Sequence, residues 1–147
     1  MKAVLQQETT GCAIACAAAI SAIEYETAKT IANRLRIYAD DEALWSSTQP
    51  IRDLLKELGV KTAASEKTFT TWDNLPDCAL ISLKWHLEKG KPFWHWAIFV
   101  RTNKRSYVID SNKSLKTNYR TDFGRMKPKW FIEVSIADRP NKISPSN

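Results

Sequence analysis

The sequence is short of glycine, of cysteine and of long apolar runs, and each shortage excludes a class of protein. Four glycines among 147 residues, with no low-complexity segment, exclude a fibrous repeat and a disordered chain. Three cysteines, an odd number, do not suggest a disulfide scaffold and favour a reducing compartment. The longest apolar run extends only over residues 12–20, whereas a bilayer-spanning helix needs ~20 residues. We therefore expect no membrane span.

The beginning of the sequence does not have the order of a secretory signal. Residues 10–12 resemble a lipoprotein cleavage site, but the apolar run follows this cysteine instead of preceding it. Residues 6–8, Gln-Gln-Glu, stand where the apolar part of a signal would be. We expect a cytoplasmic location, or delivery by a route without a cleavable signal peptide.

The remaining composition is that of one ordinary domain, with 44% hydrophobic and 26% charged residues. We expect this domain to cover residues 1–138 and a disordered tail to follow over residues 139–147, which contain two prolines and two serines. The net charge is +6, and residues 113–129 have a basic bias. No recognised nucleic-acid motif accompanies that bias, so we interpret it as a solvated loop and expect no nucleic-acid partner.

Hydrophobic periodicity predicts helices first and strands second. The first predicted helix covers residues 12–24, with Thr9 or Thr10 as its cap, and the second covers residues 26–38. The third follows a Ser-Thr-Gln-Pro sequence and repeats apolar residues at i, i+3, i+4 and i+7 before Gly59. Short runs predict strands over residues 79–85, 94–101, 106–110 and 130–136. This order predicts an α+β fold in which N-terminal helices pack on a C-terminal antiparallel sheet.

The three cysteines differ in how well they suit nucleophilic chemistry. A thiol becomes a good nucleophile when it ionises, and the amide dipoles at the start of a helix favour the thiolate and offer an N–H group to an oxyanion. Cys12 lies at such a start, whereas Cys16 lies one turn inside the helix and Cys78 precedes a strand. Cys12 is the candidate nucleophile, with an ordinary core position as the alternative. The spacing of these cysteines does not favour zinc, and we expect no cofactor.

Two histidines compete for the role of base. His95 begins a buried strand, whereas His86 opens a charged turn, so we prefer His95. If Asn103 and Lys104 form the tip of a hairpin, His95 and Asp110 point to the same face as diagonal neighbours, ~7–8 Å apart at the backbone. A carboxylate there can accept the second imidazole N–H and fix the tautomer. A loop of odd length would instead turn Asp110 to the other face.

An oxyanion formed by attack of a thiolate needs a second donor besides the backbone N–H. A side-chain amide just upstream of the nucleophile can supply it, and both Gln6 and Gln7 are available. Spacing by itself does not choose between them.

The combined pattern resembles the papain-like cysteine peptidases, and within them the bacteriocin-processing peptidases that remove double-glycine leaders. The resemblance rests on residues 6–15 around Cys12, residues 95–100 and residues 107–110. In that family a glutamine stands six residues before the nucleophile, which implies Gln6 as the oxyanion donor. A histidine at the start of a strand and an aspartate about fifteen residues later correspond to His95 and Asp110.

The resemblance implies a cysteine peptidase that hydrolyses a peptide or isopeptide bond with a Cys-His-Asp triad and needs no cofactor. Three residues depart from the family pattern. Gly11 stands where an acidic residue is frequent, Ala13 where glycine is frequent, and Ser111 where proline is usual. These departures concern the substrate more than the fold. The alternatives are an inactive peptide-binding module on the same fold and an effector or toxin enzyme that catalyses acyl transfer.

Overall fold

The structure, a computed structural model, describes residues 1–135 and consists of an N-terminal helical part followed by a sheet. The helices are α1 (Cys12–Ser21), α2 (Tyr25–Arg34), α3 (Ala43–Ser46) and α4 (Gln49–Glu57). The strands are β1 (Lys61–Thr62), β2 (Lys67–Thr68), β3 (Cys78–Glu88), β4 (Lys91–Arg101), β5 (Ser106–Ile109), β6 (Tyr119–Arg120) and β7 (Trp130–Ser135). This order confirms the α+β fold expected from the sequence. The predicted tail at residues 139–147 and the last residue of the predicted final strand, Ile136, lie outside the described residues.

Helix α1 is buried on every side except at its last residue, because its many alanines let the neighbouring elements approach closely. It ends at Ser21, earlier than predicted, since Ala22 adopts a left-handed conformation with φ 58°. The prediction that Thr9 or Thr10 caps the helix is wrong: the N-cap is Gly11, which has no side chain to bond. The Gly11 N–H group bonds to the Glu8 carbonyl and closes a turn that contains both threonines.

Helix α2 also ends earlier than predicted. Arg36 takes a positive φ of 64°, and the Ile37 N–H group bonds back to the Ala32 carbonyl at 2.9 Å. This pairing is the usual way in which a helix end satisfies its last carbonyls, so the chain leaves the helix before residue 38.

Helix α4 confirms the third predicted helix. It begins at Gln49, and its apolar stripe buries Ile51, Leu54 and Leu55 against the core. Gly59 follows with φ 81°, a conformation that glycine adopts at little cost. The short helix α3 was not predicted, because four residues are too few to show a period.

The strands form one antiparallel sheet in the order β1-β7-β3-β4-β5-β6, with β2 also paired to β7. The predicted hairpin between β4 and β5 is confirmed: Phe99 pairs with Val108, and the Thr102 N–H group bonds to the Arg105 carbonyl at 2.8 Å. This register places alternate residues of the two strands on the same face.

The hairpin between β3 and β4 is longer than predicted. Its tip is the two-residue turn Lys89-Gly90, where φ is positive at both positions, as in the turns that match the twist of paired strands. His86 therefore lies within β3 and pairs with Phe93, and the prediction that it opens a turn is wrong. The ladder shifts register between Leu83 and His86.

Each face of the sheet has its own core. The even-numbered residues Trp96 and Ile98 of β4 face the helices and belong to the larger core, while the odd-numbered Ala97 and Phe99 belong to a smaller core on the other face. Two short 3-10 helices, Trp72–Asn74 and Phe123–Arg125, contribute two of the aromatic side chains that pack on the smaller core, Trp72 and Phe123. His95 lies two residues before Ala97 in β4, on the same face of the strand, at the point where β4 passes the start of α1.

Candidate active site

Cys12 is the first residue of α1 and its side chain is almost completely buried. Its Sγ atom accepts a hydrogen bond from the backbone N–H group of Trp96, with an N–S distance of 3.4 Å. The thiol therefore lies at the start of a helix and also contacts a backbone amide of the central sheet.

The position of Cys12 beside Trp96 follows from the geometry of β4. Successive N–H groups along a strand point to opposite sides, and that of Arg101 points towards β3, where it bonds to the Asp77 carbonyl. The N–H group of Trp96 therefore points towards β5. Since β5 ends at Ile109, it provides no carbonyl for this N–H group. The Sγ atom of Cys12 accepts the hydrogen bond instead.

His95 lies between Cys12 and Asp110. Its Nε2 atom is 2.8 Å from Oδ1 of Asp110, and its side chain also hydrogen-bonds to Cys12. Because Nε2 bonds to the carboxylate, the nitrogen that meets the thiol is Nδ1. The hairpin register thus brings His95 and Asp110 to the same face, as the sequence predicted, and places both beside the start of α1.

The pKa values of this pair are strongly shifted. Burial would lower the pKa of His95, but the hydrogen bonds with Asp110 and Cys12 outweigh burial and raise the pKa to about 10. Burial would raise the pKa of Asp110, but the hydrogen bond and the charge of His95, with further bonds from Asn112 and Arg120, lower the pKa to about 2. The site therefore favours an imidazolium beside a carboxylate at neutral pH.

Arg120 is a member of this site that sequence reasoning missed. Its Nη1 atom donates to Oδ2 of Asp110 at 3.0 Å, and its Nε and Nη2 atoms donate to the two carboxylate oxygens of Asp122 at 3.0 and 2.8 Å. The interpretation of residues 113–129 as a solvated loop is wrong for this residue, because its side chain is mostly buried between two carboxylates. The Arg-x-Asp spacing at residues 120–122 was the available signal, but it is too common to identify a site.

Gln6 is buried in the loop before α1, while Gln7 is exposed. The Nε2 atom of Gln6 donates to the carbonyls of Glu8 at 3.0 Å and Thr9 at 2.8 Å, and its Oε1 atom accepts a hydrogen bond from the Ser111 hydroxyl at 2.7 Å. The Gln6 N–H group also bonds to the Ser111 carbonyl at 3.1 Å. Gln6 thus joins the loop before Cys12 to the residue that follows Asp110.

The same loop is held from the other side by Glu8. Its carboxylate accepts hydrogen bonds from the Tyr25 hydroxyl and from the Lys29 ammonium group. Burial raises the pKa of Glu8, but the bonds from Lys29 and Tyr25 lower it further than burial raises it. A Cβ atom at Gly11 would overlap the Tyr25 hydroxyl, so a larger residue here would require Tyr25 to move.

The other cysteines and the second histidine are not at this site. Cys16 is fully buried one turn further along α1, and burial raises its pKa well above the ordinary value. Cys78 is buried at the start of β3. His86 lies exposed near the tip of the β3–β4 hairpin, where it bonds to Glu88.

Within residues 1–135, no group of three or more histidine, cysteine, aspartate or glutamate side chains is arranged to hold a metal ion. Over the same residues, no helix is both long and apolar enough to cross a membrane.

Comparison with known proteins agrees with the resemblance noted in the sequence. The model of the peptidase C39 family matches residues 1–134. A solved structure similar to this one is the peptidase domain of Streptococcus ComA, a bifunctional ABC transporter involved in a quorum-sensing pathway. The two have a TM-score of 0.58 at 14% sequence identity, over 91% of this chain and 97% of that one, which supports the same papain-like fold. No curated protein sequence matches the chain.

Proposed function

The chain belongs to the peptidase C39 family, a family of cysteine peptidases, and we propose that its catalytic triad is Cys12, His95 and Asp110. The observation that carries this proposal is the position of His95, which bonds to the candidate nucleophile through one ring nitrogen and to a buried carboxylate through the other. The substrate is a peptide or protein whose peptide or isopeptide bond is hydrolysed.

The first half of the reaction forms a thioester. The proton of Cys12 passes to Nδ1 of His95, and the carboxylate of Asp110 stabilises the resulting imidazolium. The thiolate then attacks the carbonyl carbon of the scissile bond. His95 returns its proton to the leaving amine as the carbon–nitrogen bond breaks, and the acyl group remains on Sγ of Cys12.

The second half restores the enzyme. Water attacks the thioester carbonyl while His95 takes one of its protons, the carbon–sulfur bond breaks, and the product leaves as a carboxylic acid. A pKa of His95 of about 10 favours a protonated imidazole beside the carboxylate of Asp110 at neutral pH.

The oxyanion is bound by the backbone N–H group of Cys12 and by Nε2 of Gln6. The first N–H groups of a helix have no acceptor within that helix, so the N–H group of Cys12 suits this role. Both N–H groups of the Gln6 side-chain amide already donate to backbone carbonyls, those of Glu8 and Thr9. The bond to Glu8 is the one we expect Gln6 to exchange for the oxyanion, because the Glu8 carbonyl keeps a second donor, the Gly11 N–H group at 3.0 Å.

The experiment that tests the triad is alkylation by iodoacetamide between about pH 5 and 9, followed by peptide mapping by mass spectrometry. We expect labelling of Cys12 in the wild-type protein at about pH 6, well below the range in which a free thiol ionises. Labelling should be strongly reduced in His95→Ala and retained in His86→Ala, the matched control with the same change at an exposed histidine.

Cys12→Ala serves as the blank for the mapping. Labelling that spreads over Cys16 and Cys78, or that is the same in His95→Ala as in the wild type, would contradict the triad and favour a peptide-binding module on this fold.

The role of Gln6 is tested by a difference between two reactions of the same thiol. Alkylation by iodoacetamide forms no oxyanion, whereas peptide hydrolysis does. Gln6→Ala should lower kcat by about 10²–10³ and leave the rate of alkylation of Cys12 nearly unchanged. The exposed neighbour supplies the control, Gln7→Ala, which should change neither rate. An equal fall of both rates in Gln6→Ala would assign Gln6 to loop structure instead.

A further inference from the structure

The side chains of His95, Asp110 and Arg120 lie next to one another on one face of the sheet at the candidate active site. Asp110 directly follows β5, which lies between β4 with His95 and β6 with Arg120. Arg120 pairs with Val108, so it shares the face of Val108 and of Asp110 two residues later. Sheet geometry thus places an arginine on one side of the carboxylate and the histidine on the other.

The two oxygens of Asp110 have separate partners. Oδ1 accepts from Nε2 of His95 at 2.8 Å and from the Asn112 N–H group at 3.1 Å, while Oδ2 accepts from Nη1 of Arg120 at 3.0 Å. A carboxylate bound through both oxygens cannot rotate without breaking a charge-assisted bond. Arg120 therefore fixes the plane in which Asp110 presents Oδ1 to the histidine.

Arg120 is itself held in place by Asp122. The guanidinium group makes a two-point contact with this second carboxylate, at 3.0 and 2.8 Å, which leaves Nη1 for Asp110. The side chain of Asp122 is 41% exposed, whereas that of Asp110 is 4% exposed. The less buried carboxylate anchors the arginine, and the more buried one receives its remaining donor.

We propose that Arg120, anchored by Asp122, is a positioning residue that keeps Asp110 ionised and oriented towards His95 throughout the reaction. The proposal rests on the triad proposed above. In that reaction His95 alternates between its neutral and protonated forms, so it supplies a positive charge to Asp110 only part of the time. An arginine remains protonated at every pH of interest and supplies its charge in both states.

Besides the groups in direct contact, the buried thiol of Cys16 interacts with Asp110, and the exposed Arg125 interacts with Asp122. His95 faces Cys12 from α1 and Asp110 from the end of β5, Asp110 faces His95 and Arg120, and Arg120 faces Asp110 and Asp122. Burial raises the pKa of Asp110, so the loss of a cation bonded to its carboxylate moves this pKa upward. At acid pH the loss of the carboxylate charge then removes support from the imidazolium and, through it, from the thiolate of Cys12.

The test is the pH profile of alkylation of Cys12 by iodoacetamide in the full chain, extended down to about pH 3 and compared among the wild type, Arg120→Gln, Arg120→Lys and Asp122→Asn. We expect Arg120→Gln to move the acid limb of the profile to higher pH by about one unit. Arg120→Lys keeps the charge but loses the forked geometry, and Asp122→Asn loosens the anchor, so both should move the limb in the same direction by less. Arg105→Gln, which removes the same charge from an exposed arginine directly before β5, should leave the limb in place.

The outcomes separate this inference from the proposed function. If wild-type Cys12 shows no labelling that depends on His95, the triad fails and the inference fails with it. If wild-type labelling depends on His95 but folded Arg120→Gln has the wild-type profile, the inference alone is overturned. A role limited to stability would lower the folded fraction, measured by circular dichroism, without moving the limb. Should Arg120→Gln fail to fold, an unshifted limb in Arg120→Lys and Asp122→Asn overturns the proposal.

Discussion

The chain contains two histidine–carboxylate pairs with the same contact distance and very different surroundings. In one, Nε2 of His95 is 2.8 Å from Asp110; in the other, Nε2 of His86 is 2.8 Å from Glu88. The side chains of the first pair are 18% and 4% exposed, and those of the second are 51% and 62% exposed. The distance is equal, so it is not what distinguishes the two sites.

The difference lies in what surrounds each pair. His86 bonds to a backbone carbonyl and to a carboxylate two residues away, and both bonds raise its pKa. This pair is exposed, so solvent screens the interaction between its charges. His95 meets a carboxylate fifteen residues away and the thiol of Cys12 in a buried site, where the same contacts are stronger. A histidine bonded to a carboxylate therefore indicates catalysis only together with burial and a nucleophile. Three predictions test this comparison.

The largest expected effect is on peptide hydrolysis. His95→Gln should lower kcat/KM by about 10²–10⁴ or more, because in the proposed mechanism His95 accepts and returns the proton. His86→Gln should stay within about twofold of the wild type, since a solvated histidine near a hairpin tip takes no part in proton transfer. Steady-state kinetics with a cleaved peptide measures both. Similar losses in the two variants would remove the distinction between the pairs.

The second expected effect is on the free energy of unfolding. Asp110→Asn should lower it by about 3 kcal/mol, because the substitution removes the carboxylate to which both His95 and Arg120 bond in a buried position. Glu88→Gln should change it by less than about 0.5 kcal/mol, as is usual for an exposed ion pair. Urea unfolding at about pH 7 gives both values. A large loss in Glu88→Gln would mean that exposure is a poor guide to the strength of these pairs.

The third expected effect is on the pH dependence of stability. The pKa of His95 is raised from 6.5 to about 10, so its contribution is full below about pH 6.5 and disappears as pH rises through about 10. The pKa of Asp110 is lowered from 3.8 to about 2, so its contribution is present above about pH 3.8 and is lost as pH falls through about 2. The stability difference between the wild type and His95→Gln should therefore shrink between pH 6.5 and 10.

The control for this last prediction is the exposed pair. The difference between the wild type and His86→Gln should stay small over the same pH range, because solvent screens its interaction with Glu88. A difference for His95→Gln that grows as pH rises would show that His95 is neutral in the folded protein at pH 7 and would contradict the assigned direction of its pKa.

Local pattern predicted the parts of the fold that depend on neighbours in the sequence. The stripe of α4 and the two-residue tip of the β4–β5 hairpin are local, and from the hairpin register the common face of His95 and Asp110 follows directly. Helix ends were less accurate, because Ala22 and Arg36 take left-handed conformations that depend on how α1 and α2 pack rather than on their own preferences. The capping role of the threonines failed because the loop before α1 closes its own turn.

The contacts that complete the site join distant parts of the chain, and a local pattern contains no signal for them. Trp96 reaches Cys12 across 84 residues, and Ser111 reaches Gln6 across 105. Arg120 is only ten residues from Asp110, but its place depends on the pairing of β5 with β6, a strand of two residues that no periodicity can reveal.

What the sequence determined by itself is the order of helices and strands, the register of one hairpin and the identity of Cys12, His95 and Asp110 as candidates, since each follows from the spacing of residues along a helix or a strand. What the tertiary structure decided is the environment of those candidates. It buried one histidine and exposed the other, placed Arg120 behind Asp110, and set the thiol against a free N–H group of β4. Burial and long-range hydrogen bonds depend on how separate elements pack, so they were settled only when α1 came to lie against the sheet.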